Sequence, residues 1–218
     1  YCIANGTIYF SNFSDQSFYE LRPEGTPHQL TSKKKLLYAD GIKDVTRNRI
    51  ICIREDQTYP SQEFLNTIVS IPLDTKDKNH SDCVLISGND FYSSPRLSPD
   101  GNHLAWLTWN HPNMPWDGTE LWTAEIQPDG ILAHARQVAG GKEESIFQPE
   151  WSPDGILHFV SDRTGWWNLY RVCENLAEPL CPMKAEFGEP QWIFGQRLYG
   201  FESCSTIICA YTQKGIWY

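Results

Sequence analysis

Residues 147 to 172 read FQPEWSPDGILHFVSDRTGWWNLYRV. Within Ser152-Pro153-Asp154-Gly155, proline stands where a turn wants φ near −65°, and glycine where the chain must reach positive φ. Apolar residues flank that turn, Phe147 and Trp151 before it and Ile156, Leu157, Phe159 and Val160 after it. Runs of that length suit β-strands buried on at least one face. A second turn, Ser161 to Gly165, leads into Leu169-Tyr170-Arg171-Val172. The stretch therefore reads as three antiparallel strands, a meander.

The same grammar recurs along the chain. Residues 93 to 106, SSPRLSPDGNHLAW, repeat the turn and the apolar run that follows it. Gly6 to Phe10 with Ser17 to Leu21, Asn48 to Ile53 with Asn66 to Ile71, and Glu189 to Trp192 with Arg197 to Phe201 give shorter copies. Taking the turn before each second strand as the marker, positions 6, 48, 101, 155 and 196 lie 42, 53, 54 and 41 residues apart. A period of about 40–50 residues built from short strands is the pattern of a β-propeller. The expectation is an all-β chain of four-stranded antiparallel blades, about five of them, over residues 1–31, 36–87, 91–139, 145–182 and 186–218. Ile216-Trp217-Tyr218 is expected to align with the third-strand Leu169-Tyr170.

Composition agrees with strands. The 218 residues include nine Trp, ten Tyr and ten Phe, the residue types that favour a pleated, half-buried surface. No run approaches the ~20 apolar residues of a membrane span, and a net charge of −9 argues against nucleic acid or an anionic lipid surface as partner. The seven cysteines include no Cys-x-x-Cys, and Cys52 and Cys209 sit inside the apolar runs IICI and IICA. Buried free thiols are the reading for those two, and an odd count with these positions fits a reducing, cytoplasmic setting better than a disulfide framework. The chain opens on Tyr1 within a strand pattern, which leaves room for a preceding segment.

The catalytic inventory is negative. None of the 15 glycines has a serine two residues on, so there is no Gly-x-Ser-x-Gly elbow, and there is no His-Glu-x-x-His or phosphate-binding loop. The histidines at 28, 80, 103, 111, 134 and 158 are scattered. His103 and His158 stand beside second-strand apolar residues, where a hydrogen-bonded structural role is the simpler reading. No cofactor or metal site is indicated.

Three longer stretches carry a resemblance: 38–56 (YADGIKDVTRNRIICIRED), 93–122 (SSPRLSPDGNHLAWLTWNHPNMPWDGTELW) and 140–172 (GGKEESIFQPEWSPDGILHFVSDRTGWWNLYRV). They resemble the N-terminal β-propeller of prolyl oligopeptidase family serine peptidases, in the bacterial branch of dipeptidyl-aminopeptidase-like and acylaminoacyl-peptidase-like members. The resemblance implies a seven- or eight-bladed propeller, of which this chain would be an open arc. It also implies a partner, a C-terminal α/β-hydrolase domain bearing Ser, Asp and His, which this sequence lacks. No triad residue can be carried over. The implied role is to admit short peptides to an enclosed active site and exclude folded proteins. In some members, propeller carboxylates also hold the free amino end of the substrate.

Such a role needs loops on one face. In a four-stranded antiparallel blade, the connection from second to third strand and the connection to the next blade leave on the same side. Glu55 to Phe64, Asn110 to Gly118, Gly140 to Ser145 and Ser161 to Trp167 are those connections. Among them, Glu143 and Glu144 are candidates to bind an ammonium group, with a solvated surface pair as the alternative. His111, Trp116 and Asp117 belong either to a recognition loop or to a rigid cover. Asp162 and Arg163 either touch substrate or brace their loop. Three functions compete: a peptide-gating segment of a serine peptidase, a stand-alone propeller binding protein partners, and a propeller enzyme with a central metal. The last needs an inward-facing set of His, Asp or Glu at equivalent blade positions, which is not visible.

Overall fold

The structure, a computed structural model, describes residues 1–59, 63–73 and 82–218. His80 and the tip of the Glu55–Phe64 loop, residues 60–62, lie outside the described residues. The chain divides into two compact units, Tyr1–Pro95 and Arg96–Tyr218.

The first unit begins with β1 (Cys2–Ala4), β2 (Thr7–Ser11), β3 (Phe18–Leu21) and β4 (His28–Gln29), hydrogen-bonded in that order as one antiparallel sheet. Ala4 pairs with Thr7, so the hairpin loop is Asn5-Gly6, and both residues have positive φ, 50° and 76°. That conformation matches the right-handed strand twist and selects Asn-Gly. The second sheet is β5 (Leu36–Asp44), β6 (Arg49–Asp56), β7 (Leu65–Pro72) and β8 (Cys83–Ile86). Phe18, Tyr38, Ile50, Cys52, Val69 and Ile71 share one core with Tyr9 and Leu30. At the edge of this sheet Asp82 accepts hydrogen bonds from Tyr38 Oη at 3.1 Å and Arg54 Nη1 at 2.8 Å.

β9 (Phe91–Leu97) carries the boundary between the units. It belongs to a sheet of order β12-β11-β10-β9 with β10 (His103–Trp109), β11 (Glu120–Ile126) and β12 (Leu132–Gly140). The fourth sheet is β13 (Ile146–Trp151), β14 (Leu157–Ser161), β15 (Asn168–Cys173) and β16 (Leu176–Pro179). Residues 104–108 of β10 and all of β14 are buried. Sheets packed on both faces read as continuous apolar runs rather than as an alternation. Ala105, Leu107 and Leu121 meet Leu157, Phe159 and Tyr170 in one core. Each fully buried Leu or Phe contributes about 1.5–3 kcal/mol. His158 is 5% exposed, with Nδ1 3.0 Å from the Ile156 carbonyl and its ring edge-on to Phe201. Burial holds its pKa below the usual value. It is a structural histidine.

All seven cysteines are free; Cys52 is buried and Cys209 half-buried. Among the described residues no helix is long and apolar enough to cross a membrane. The architecture is all-β, in four-stranded antiparallel blades, as the repeats predict.

The last sheet departs from the sequence reading. Glu189–Trp192 forms no strand, β17 (Tyr199–Ser203) pairs with β18 (Thr206–Cys209), and Ile216–Trp217 lies in a separate hairpin, β19 (Thr212–Gln213) with β20 (Ile216–Trp217). Ile216–Trp217 pairs with β19, which follows β18 after two residues, and Tyr211 and Tyr218 exchange backbone hydrogen bonds at 3.2 and 2.9 Å. Gln148, 2% exposed, accepts from Leu198 N at 2.7 Å and Tyr199 N at 3.3 Å, and donates to Tyr199 O at 2.7 Å. That amide thus satisfies backbone groups of Leu198 and Tyr199.

Candidate functional site

Three of the four connections that strand order puts on one side come together in the second unit. The β10–β11 loop reaches the β12–β13 loop through Asn113 Nδ2, which donates to Lys142 O at 2.9 Å, and Ser145 Oγ, which donates to Pro115 O at 2.9 Å. The β12–β13 loop reaches the β14–β15 loop through Ser145 N, which donates to Asp162 Oδ1 at 2.7 Å. Gly165, with φ 80°, closes that last turn, its N–H bonding to Asp162 O at 2.7 Å.

The β14–β15 loop is then tied to the chain leaving β16. Asn168, fully buried, accepts from Met183 N at 2.6 Å and donates to Met183 O at 2.9 Å. Trp167 N donates to Glu186 Oε2 at 2.9 Å, and Phe187 N donates to Trp167 O at 2.7 Å. The Trp167 ring, 9% exposed, stacks on Phe147 at 6.2 Å between centroids. Glu186 is bridged in turn to Thr212, which brings the β19–β20 hairpin alongside.

Between these segments lies a cleft of about 500 Å³, lined by Asp162, Glu186 and Glu189 and by the rings of Trp166, Trp167 and Trp217. Trp166 is 38% and Trp217 56% exposed. The lining contains three carboxylates and no Lys, Arg or His. Burial pushes the Asp162 carboxyl above the usual aspartate range; the Ser145 N–H pulls it back, while the charges of Glu144 and Glu186 add to the rise. Carboxylates beside indole faces attract a cation twice over, by charge and by ring quadrupole. The Trp167 Nε1–H is buried without a hydrogen-bond partner.

The sequence candidates divide around this cleft. Asp162 lines it. Arg163 does not: its Nη2 and Nε donate to Glu144 Oε1 at 2.7 and 3.0 Å, and its guanidinium lies 4.9 Å from the Tyr170 ring centroid. Glu144 also accepts from Ser161 Oγ at 2.6 Å, whereas Glu143 is exposed. The adjacent acids thus do not form one ammonium site; Glu144 braces a loop. Asp117 accepts from Met114 N at 2.9 Å, closing its own turn, and His111 is exposed at the head of that loop. Trp116 packs on Trp192, with centroids 4.3 Å apart. Glu186, Glu189, Trp166, Trp167 and Trp217 were not singled out as site residues by sequence. Two of the tryptophans, in the doublet Trp166-Trp167 on a predicted loop, were the signal available.

The loop face of this β-propeller segment thus carries an acidic, tryptophan-lined cleft. No family model and no curated protein matches the chain. Solved structures do: a puromycin hydrolase at 36% identity and TM-score 0.87, over 94% of this chain and 33% of that one, and a puromycin-hydrolyzing peptidase of Mycobacterium tuberculosis at 33% and 0.85, over 97% and 34%. Prolyl oligopeptidase B of Galerina marginata shares the fold at 13% identity and TM-score 0.60, over 89% of this chain and 28% of that one. The chain is a β-propeller segment of the prolyl oligopeptidase family. It spans about a third of the length of the two puromycin-hydrolysing relatives.

Proposed function

We propose that this chain is the gating propeller segment of a peptidase, and that its acidic cleft holds the free amino end of a short peptide or aminoacyl compound presented to an α/β-hydrolase domain. The observation that carries this reading is the cleft itself, with Asp162, Glu186 and Glu189 facing three indole rings and no cation in the lining. Support comes from the names of the two relatives at 33–36% identity, one a puromycin hydrolase and the other a puromycin-hydrolyzing peptidase. An ammonium group fits such a cleft because it is attracted by both the carboxylates and the ring faces. The loops joined through Asn113, Ser145 and Asp162 would form a rigid rim that excludes folded chains.

The test is made with the chain joined to its hydrolase domain in one polypeptide. Asp162→Asn with Glu186→Gln should lower kcat/KM for free-amino peptides about tenfold or more relative to their N-acetylated forms, since each hydrogen bond to a charged group is worth ~1.5–3 kcal/mol. Glu143→Gln should leave that ratio unchanged. Equal losses on both substrate types would overturn the amino-end reading. A polypeptide without hydrolase activity would favour a protein-interaction module instead.

A further inference from the structure

The packing between the third and fourth sheets does not continue to their turn ends. Ala105 pairs with Thr123, and His103 with Glu125, so the face of β10 and β11 that presents Ala105, Leu107 and Leu121 to the core continues into His103, Thr123 and Glu125. With His134 and Arg136 of β12, these residues open a cleft of about 420 Å³. Its apolar lining includes Trp151, Ile156 and Val172. The cleft sits at the Ser-Pro-Asp-Gly end of β13 and β14, the opposite end of those strands from the acidic cleft.

Two polar groups there lack an internal partner. The Thr123 hydroxyl is buried and makes no hydrogen bond. Arg136 is exposed, and its guanidinium makes no ion pair or hydrogen bond among the described residues. Glu125, the carboxylate in the lining, is already engaged, with Oε2 3.0 Å from His134 Nδ1. His103 lies against Trp151, with ring centroids 6.1 Å apart. A concave, mainly apolar space of this size with a few convergent polar groups is the usual form of a small-molecule site. An uncommitted guanidinium selects a carboxylate.

We propose that this inter-sheet cleft binds a small organic carboxylate, its oxygens held by Arg136 and the Thr123 hydroxyl and its apolar body covered by Trp151, Ile156 and Val172. The site is independent of the amino-end reading, because it shares no residue with the acidic cleft.

The test is a titration of the 218-residue chain with 4-fluorophenylacetate, followed by fluorine NMR line broadening, with 4-fluorobenzylamine as the charge-reversed probe. Saturable binding of the acid is expected, together with at least a tenfold preference over the amine. Arg136→Gln should weaken the acid about tenfold or more, the scale of one charge-assisted hydrogen bond. Thr123→Val should weaken it severalfold while leaving thermal unfolding in place, and Asp162→Asn should not change it. Absence of saturation, equal binding of the amine, or insensitivity to Arg136→Gln would each overturn the assignment.

Discussion

Gly188→Ala tests how the floor of the acidic cleft is built. A Cβ at residue 188 would stand 2.8 Å from Cε3, 3.0 Å from Cδ2 and 3.2 Å from Cγ of Trp167. The indole is also stacked on the buried Phe147, at an interplanar angle of 13°, which restricts its retreat. Its backbone is also fixed on both sides, by Trp167 N to Glu186 and Phe187 N to Trp167 O. Overpacking of this kind costs about 1–3 kcal/mol. For a chain of this size that lowers the melting temperature by about 2–12 °C, at ~2–4 °C per kcal/mol. Gly200→Ala is the control, since a Cβ there meets nothing within 4 Å. It should leave stability unchanged or raise it by ~0.4–1 kcal/mol through the unfolded chain. Thermal unfolding followed by far-UV circular dichroism, with the near-UV tryptophan signal of each variant, makes the comparison. If Gly188→Ala melts within about 1 °C of Gly200→Ala and keeps the parental near-UV spectrum, the floor is not close-packed and the reasoning fails.

The brace beneath the rim can be measured by a double-mutant cycle. Glu144→Gln should cost ~0.2–1 kcal/mol, and Arg163→Met about 1–2 because it also removes the guanidinium from the Tyr170 face; strict additivity in chemical denaturation would show that the pair is uncoupled. Asp162, whose carboxyl is held above the usual range by burial, gives a pH signature. A cation such as phenethylammonium prefers the ionised form, so its affinity should fall as pH drops through that raised pKa, at a higher pH than an ordinary aspartate would give. In the cation-free protein the sign is opposite: Asp162 favours folding while protonated and loses that contribution as pH rises through its folded pKa. Asp162→Asn, which keeps the acceptor for Ser145 N–H, should remove the pH step in cation binding and should not destabilise the fold at pH 7; a retained step would assign it to another group. The 218-residue chain alone should not hydrolyse peptides or esters above background, and turnover abolished by a serine-directed inhibitor would contradict this.

The blades were legible because their signals are local. Ser-Pro-Asp-Gly and Asn-Gly impose a turn whatever surrounds them, and apolar runs such as those of β10 and β14 record burial on both faces. The last sheet was not legible in the same way, because the backbone of Leu198 and Tyr199 is held by the amide of Gln148, some fifty residues earlier in sequence. The cleft failed to appear for a related reason. Glu186 and Glu189 stand in a stretch that reads as a plain inter-blade connection, and only the clamp made by Asn168 and the Trp167 N–H carries them to Asp162. Glu143-Glu144 looked like a site because the acids are adjacent, but adjacent residues in a loop point apart, and Arg163 claims one of them.

The charge of −9 says little until its neutralisation is followed residue by residue. Asp44 is met by Arg49, Asp82 by Arg54, Glu144 by Arg163 and Glu178 by Arg171, each with nitrogen and oxygen within 3 Å. In the acidic cleft the partners are different in kind: Ser145 N–H for Asp162, Trp167 N–H for Glu186 and the Gln196 amide for Glu189. Neutral donors orient a carboxylate without cancelling its charge. Arg163, next in sequence to Asp162 and able to quench it, is instead turned onto Glu144 and the Tyr170 ring. The three oriented carboxylates stand beside indole rings that exclude part of the water which would otherwise screen them, so their attraction for a cation falls off less than at an open surface. On the proposed reading, a cation entering there would meet acceptors already oriented, and this preorganisation, rather than the number of acidic residues, would separate the cleft from the rest of an acidic surface.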